Sequence, residues 1–129
     1  MTHLLLDTCT LIWLVSDPTR LSKRVVEALN DRTIDLYLSD TTVWEIGLKW
    51  QAGKIGLPAP PRLWIEEQSA RWLFVSLPIR RPHLYRVTEL PEHHRDPFDR
   101  LLVAQAIEEG LAIATPDQQI GRYPVAVLW

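Results

Sequence analysis

Five acids stand out by where they fall. Asp7 follows directly on the apolar run Leu4-Leu5-Leu6, Glu45 lies between Trp44 and Ile46, Asp96 and Asp99 bracket Pro97-Phe98, and Asp117 follows Pro116. Carboxylates from separate stretches can be gathered at one point only if cations or basic groups offset their repulsion. Hard divalent cations such as Mg²⁺ and Mn²⁺ prefer such oxygen ligands and keep part of their water shell. A cation held this way activates water and stabilises charge growing on a phosphate and its leaving oxygen. Phosphodiester hydrolysis is therefore the chemistry this pattern suits.

Taken singly, each acid has a plainer role. Asp7 could cap a strand end, and Asp117 could form a turn beside Pro116. Asp96 and Asp99, spaced i and i+3, could complement a helix dipole, with Asp96 the better cap. Glu45 could be a solvated helix residue, but its apolar neighbours lean it inward, where an unpaired carboxylate is unfavourable. Arg95, Arg100, Lys49 and Lys54 either neutralise these acids or reach a phosphate. His93 and His94 are adjacent and so point in different directions on a helix or strand, which favours surface or substrate contacts over a ligand pair. Cys9 reads as a small buried residue, and most of the six tryptophans as packing.

The elements that must position these groups alternate along the chain. Strands are expected at His3 to Leu6, Ile34 to Ser39, Leu73 to Leu77, Leu111 to Thr115 and Val125 to Leu128. Between them the spacing predicts helices over Thr10 to Val15, from Ser22 as cap to Leu29 with Val25, Val26 and Leu29 buried, and from Asp40-Thr41-Thr42 onward through Trp50. Further helices are expected over Arg62 to Arg71, from Pro82 to Glu89, and from Phe98 to Glu109, where Gly110 stops the last. Strands separated by helices argue for an α/β sandwich on a parallel sheet, whose ligands bind at the C-terminal strand ends. Asp7 and Asp117 fall at two such ends.

Composition narrows the class. The 129 residues, 47% hydrophobic and 23% charged, describe one globular domain spanning 1–129 and exclude disorder and low complexity. A single cysteine excludes an intramolecular disulfide framework, and with four histidines no Cys/His zinc pattern assembles. No apolar run approaches a membrane span, and no basic region precedes an apolar stretch at the N-terminus, so a soluble cytoplasmic protein away from membranes is expected. The net charge of −2 argues against a strongly basic nucleic-acid binder, although clustered acids would themselves pull the total down.

Four segments in order carry a resemblance: Leu4-Leu5-Leu6-Asp7-Thr8, Val43-Trp44-Glu45-Ile46, His94 to Leu102 continuing through Ala104-Gln105-Ala106, and Ala114-Thr115-Pro116-Asp117. Together they resemble the PIN domain family and, more narrowly, VapC-type toxins of bacterial type II toxin–antitoxin systems. The resemblance implies a three-layer sandwich with a central parallel sheet of four to five strands, and a Mg²⁺- or Mn²⁺-dependent endoribonuclease. It also implies a homodimer and a cognate antitoxin that covers the acidic pocket. The family's acidic positions map onto Asp7, Glu45, Asp99 and Asp117. Asp7, Asp99 and Asp117 would be metal ligands, Asp96 an auxiliary ligand, and Glu45 would position or activate water. Thr8 and Thr115 would support the carboxylates.

Three rival readings are weighed. A phospho-receiver module has a similar length and acids at strand ends, but it needs a late lysine and an acidic pair after the first strand; here no lysine follows Lys54. A catalytically silent RNA-binding relative would keep the fold, but all four acids are present. A dinucleotide-binding module is disfavoured because no glycine-rich turn follows the first strand.

Overall fold

The computed structural model describes residues 3–129. Within them lie the strands β1 (His3–Leu6), β2 (Asp35–Ser39), β3 (Val75–Leu77), β4 (Ala112–Ala114) and β5 (Val127–Leu128). The helices are α1 (Thr8–Ser16), α2 (Lys23–Leu29), α3 (Asp40–Gln51), α4 (Pro61–Trp72), α5 (Arg81–Glu89) and α6 (Pro97–Glu109). All strand pairs are parallel, in the order β3-β2-β1-β4-β5. The chain lays β2 and β3 to one side of β1, then returns and lays β4 and β5 to the other. The order therefore reverses between β1 and β4, where a crevice opens beyond the strand ends. This is not the 2-1-3-4-5 order of receiver-like sheets.

The side-chain alternation of β1 divides the interior in two. Leu4 and Leu6 enter a core with Leu36, Leu38, Ile46 and Trp64, beneath α1 to α4. Leu5 enters a second core with Leu102, Val103, Ile113 and Tyr123, beneath α5 and α6. A strand apolar on both faces is what a sheet covered on both sides requires. The result is the expected three-layer α/β sandwich.

Boundaries moved where caps decided them. Helix α1 begins two residues earlier than expected because Asp7 itself is its N-cap, accepting from the Thr8 N–H at 2.8 Å. Helix α3 is capped by Ser39, which accepts from the Thr41 N–H, and not by the residues after it. The expected strand from Leu73 shortens to Val75–Leu77, because Leu73 ends α4 in the left-handed region at φ 55°. Val26, expected inside, is 37% exposed, and Trp44, Leu48 and Trp50 also reach the surface.

Candidate active site

The sheet edge at the β1/β4 reversal gathers the acids. Asp7 ends β1, and its own N–H donates to Ala114 O of β4 at 3.2 Å, tying the two strand ends together. Its carboxylate is buried and held on both sides: Oδ1 accepts from Thr8 N–H, and Oδ2 accepts from the Thr115 hydroxyl at 2.6 Å. The Cys9 thiol lies 3.6 Å from Oδ2, half-buried and not in the core as expected. Burial raises the Asp7 pKa above the usual carboxylate range, and the Glu45 charge adds to this against the lowering by Thr115, Thr8 and Cys9. The Cys9 thiol is pushed up to about 12, first by burial and then by Asp7, so it stays protonated.

Glu45 does lean inward from α3, and neither of its oxygens is left bare. Oε1 accepts from the Thr8 hydroxyl at 2.6 Å, while Oε2 meets Lys49 Nζ at 2.7 Å, one helical turn along. Burial lowers the Lys49 pKa, but the Glu45 carboxylate outweighs it, and the net shift is upward. Thr8 thus serves twice, its N–H on Asp7 and its hydroxyl on Glu45.

Asp99 and Asp117 are joined by a residue not expected to join them. His94 Nε2 lies 3.0 Å from Asp99 Oδ2 and 2.9 Å from Asp117 Oδ2, and the three donor atoms fall within 4.8 Å of one another. The expectation of surface contacts for His94 is therefore corrected. The ring is fixed from behind, because Asp96 N–H donates to Nδ1 at 3.1 Å, which places the proton of the neutral ring on Nε2, facing the carboxylates. Tyr123 Oη accepts from the N–H groups of His93 and His94, anchoring the loop. No spacing rule reaches this contact, since residues 91–96 have neither helical nor strand periodicity. Burial lowers the His94 pKa, but the Asp117 hydrogen bond and the charges of Asp99, Asp117 and Asp96 more than offset it and raise the net value.

Asp99 is pushed up to about 7, first by burial and then by the charges of Asp7 and Asp96, with Glu45 adding and His94 opposing. The two pairs are joined through Thr115, whose hydroxyl donates to Asp7 and accepts from the Asp117 N–H. Asp117 hangs from the same frame: its N–H donates to Thr115 Oγ1 at 3.1 Å, and its Oδ1 accepts from Gln119 N–H. Asp96 is the α6 cap, its Oδ1 accepting from the Phe98 and Asp99 N–H groups.

The cations divide. Lys49, Lys54 and Arg95 line one groove with Glu45 and Asp96. Arg100 faces elsewhere, its guanidinium donating to the carbonyls of Pro91 and Val87 and so clamping the turn after α5. Among the described residues, Asp99, Asp117 and His94 bring three donor atoms together, an anionic set that suits a dication, and the raised proton affinity of Asp99 comes first from burial and then from neighbouring acids whose charge a cation would offset.

Comparison with known proteins agrees with this geometry. The sequence profile of the PIN domain matches residues 4–126. Ribonuclease VapC22 of Mycobacterium tuberculosis (strain ATCC 25618 / H37Rv) is 25% identical over 122 residues, covering 93% of this chain and 91% of the relative. Among solved structures, DNA-bound VapBC from Salmonella typhimurium superposes with a TM-score of 0.71 at 20% identity, covering 99% of this chain and 98% of that one. FitAcB from Neisseria gonorrhoeae does so with a TM-score of 0.66 at 27% identity, covering 98% and 96%. With the profile matching nearly its full length and the acids at the strand reversal, this chain belongs to the PIN domain family.

Proposed function

We propose that this chain is the ribonuclease toxin of a toxin–antitoxin pair, a single domain over 1–129 that works in the cytoplasm and hydrolyses RNA phosphodiesters with Mg²⁺ or Mn²⁺. The observation that carries this is a chain of contacts at the β1/β4 reversal of a PIN fold: Thr8 links Glu45 to Asp7, Thr115 links Asp7 to the Asp117 backbone, and His94 links Asp117 to Asp99. The similarity to a VapC ribonuclease supports the reaction, and the VapBC and FitAcB neighbours support an antitoxin partner, which on this reading covers the acidic pocket. The exposed Trp44, Leu48 and Trp50 suit burial in a homodimer and its assembly with the antitoxin.

Asp7, Asp99 and Asp117 would hold the cation, with Asp96 as auxiliary, and the bound ion supplies water activation and charge stabilisation at the phosphate. Thr115 fixes Asp7 and the Asp117 backbone at one point. His94 keeps Asp99 and Asp117 facing each other. Glu45, oriented by Thr8 and Lys49, positions the attacking water or takes its proton.

The test is cleavage of cellular RNA by the antitoxin-free protein with Mg²⁺ or Mn²⁺. Discrete products, lost with chelator and with Asp7→Asn, are expected. Intact RNA after incubation with folded, cation-saturated protein would overturn the proposal.

A further inference from the structure

Gln105 is fully buried on α6, between Val103, Ala104 and Ala106. A buried amide is unfavourable unless its hydrogen bonds are made, and replacing a bonded pair by apolar groups of the same shape can be neutral or stabilising. Fold stability alone therefore does not call for glutamine here.

What the amide does is join two layers. Its Oε1 accepts from the Ser39 hydroxyl and, at 3.0 Å, from the Thr41 hydroxyl. Ser39 ends β2 and caps α3, and Thr41 lies in the first turn of α3. Among the described residues these are the hydrogen bonds that join α3 and its cap to α6. The amide cannot be turned round. Its Nε2 faces Pro78 O at 3.4 Å and His83 Nδ1 at 3.5 Å, and that Nδ1 already accepts from Arg80 N–H at 3.0 Å. Both neighbours on this side are acceptors, so reversal would set the amide oxygen against them.

Helix α3 is thus gripped from two sides. Thr42 Oγ1 lies 3.3 Å from the Thr8 hydroxyl at the start of α1, and Thr8 also holds Glu45, while Thr41 reaches the other way to α6. Ile46 shares a core with Leu4 and Leu6 and keeps α3 on the sheet, but apolar contact is non-directional and leaves rotation and sliding free. Hydrogen bonds, with their preferred angles, do not. Asp99 and Gln105 share α6, which packs on β1 through Leu5, Leu102 and Val103. The offset between Asp7 and Asp99 is therefore set by the second core, whereas the place of Glu45 against them depends on how α3 is held.

We propose that Gln105 is a positioning residue for the reaction: through Ser39 and Thr41 its amide oxygen sets α3 against α6 and so places Glu45 over the carboxylates that hold the cation. The inference rests on the ribonuclease proposal and adds a residue that is buried out of reach of RNA.

The test is single-turnover cleavage of RNA at saturating Mn²⁺, beside calorimetric Mn²⁺ titration and melting curves of each variant. Gln105→Met keeps the side-chain volume without the hydrogen bonds. Its rate is expected to fall about tenfold, as small misplacements of reacting groups cause, while Mn²⁺ affinity stays within about twofold. Thr41→Val removes one of the two hydroxyls and should lower the rate about threefold, and Thr41→Ser, which keeps it, should retain the wild-type rate. In a Glu45→Gln background Gln105→Met should have no further effect, because it acts through that carboxylate.

A wild-type rate in Gln105→Met below its melting temperature would overturn the proposal and leave an amide that only supports the fold. A loss that recurs in full with Glu45→Gln would overturn it too, and so would an equal fall in Mn²⁺ affinity, since the effect would then run through Asp99. If Gln105→Met does not fold, the Thr41 variants decide, and equal rates for valine and serine refute the link. All of these outcomes leave the ribonuclease proposal standing. That proposal falls if the wild-type chain leaves RNA intact, and the role of Gln105 falls with it.

Discussion

The acidic cluster has two halves built in opposite ways. Asp7 and Glu45 stand on β1 and α3, buried, and three partners hold them: Thr8, Thr115 and Lys49. Asp99 and Asp117 are less buried, and one imidazole from an irregular loop holds both. The first half is pre-formed by regular elements, so its geometry is fixed before anything binds. The second depends on a ring whose place is set by one backbone N–H and a tyrosine hydroxyl. The lesson is that one half of a site can be fixed by strand- and helix-borne partners while the other is left to a single loop residue, so that the first is the more rigid and the second the more adaptable.

The largest effect should come from striking the rigid half. Asp7→Asn is expected to lower cleavage by about 10²–10³-fold or more, since it removes an anionic oxygen from the reacting centre. The melting temperature should hold steady, because burial penalises that charge in the free protein. Next, Thr115→Val removes the hydroxyl that joins Asp7 to the Asp117 backbone. Cation affinity or activity should fall about 10–100-fold, as outer partners of metal-binding carboxylates typically contribute. Calorimetric titration with Mn²⁺ checks this; unaltered affinity and turnover would show that Thr115 only packs.

His94→Ala tests the adaptable half and should lower activity about tenfold, with His94→Gln recovering part because an amide N–H can still donate. Equal losses for His94→Ala and Thr115→Val would erase the distinction between the halves. Smallest of all is Asp96→Asn. Asparagine caps a helix as well as aspartate does, so stability should change by well under about 1 kcal/mol, and activity only a few-fold. A loss matching that of Asp99→Asn would make Asp96 a principal ligand.

The free protein should also respond to pH in a set direction. The folded-state pKa of Asp99 is raised from 3.8 to about 7, so between those values the folded chain keeps a proton that the unfolded chain has released. Stability on this account is present at low pH and lost as pH rises through that window. Asp7 shifts the same way, and the raised His94 loses its contribution as pH climbs through its folded value. The melting temperature should therefore be higher at pH 5 than at pH 8, and Mn²⁺ should restore it most strongly at pH 8. A melting temperature that rises from pH 5 to pH 8 without cation would contradict the upward shifts that burial and neighbouring charge give Asp99 and Asp7.

Sequence alone determined the α/β class and the elements on which the acids stand. Apolar runs ending in acids place Asp7 and Asp117 at strand ends, and the apolar neighbours of Glu45 turn it inward, because burial patterns follow the fixed periods of strand and helix. Cap chemistry is equally local, so Ser22 and Asp96 were legible as caps while Ser39 and Asp7 were not: each stands at the junction where a strand passes directly into a helix, Ser39 as the last residue of β2 and Asp7 as the one residue between β1 and α1. Tertiary structure alone decided the strand order that sets β4 beside β1, and with it the meeting of Asp7 with Thr115 across 108 positions of chain. It likewise decided that His94 bridges Asp99 and Asp117 and that Arg100 clamps a turn. Those contacts depend on where an aperiodic loop settles against the packed layers, and such a loop carries no period from which its direction could be read.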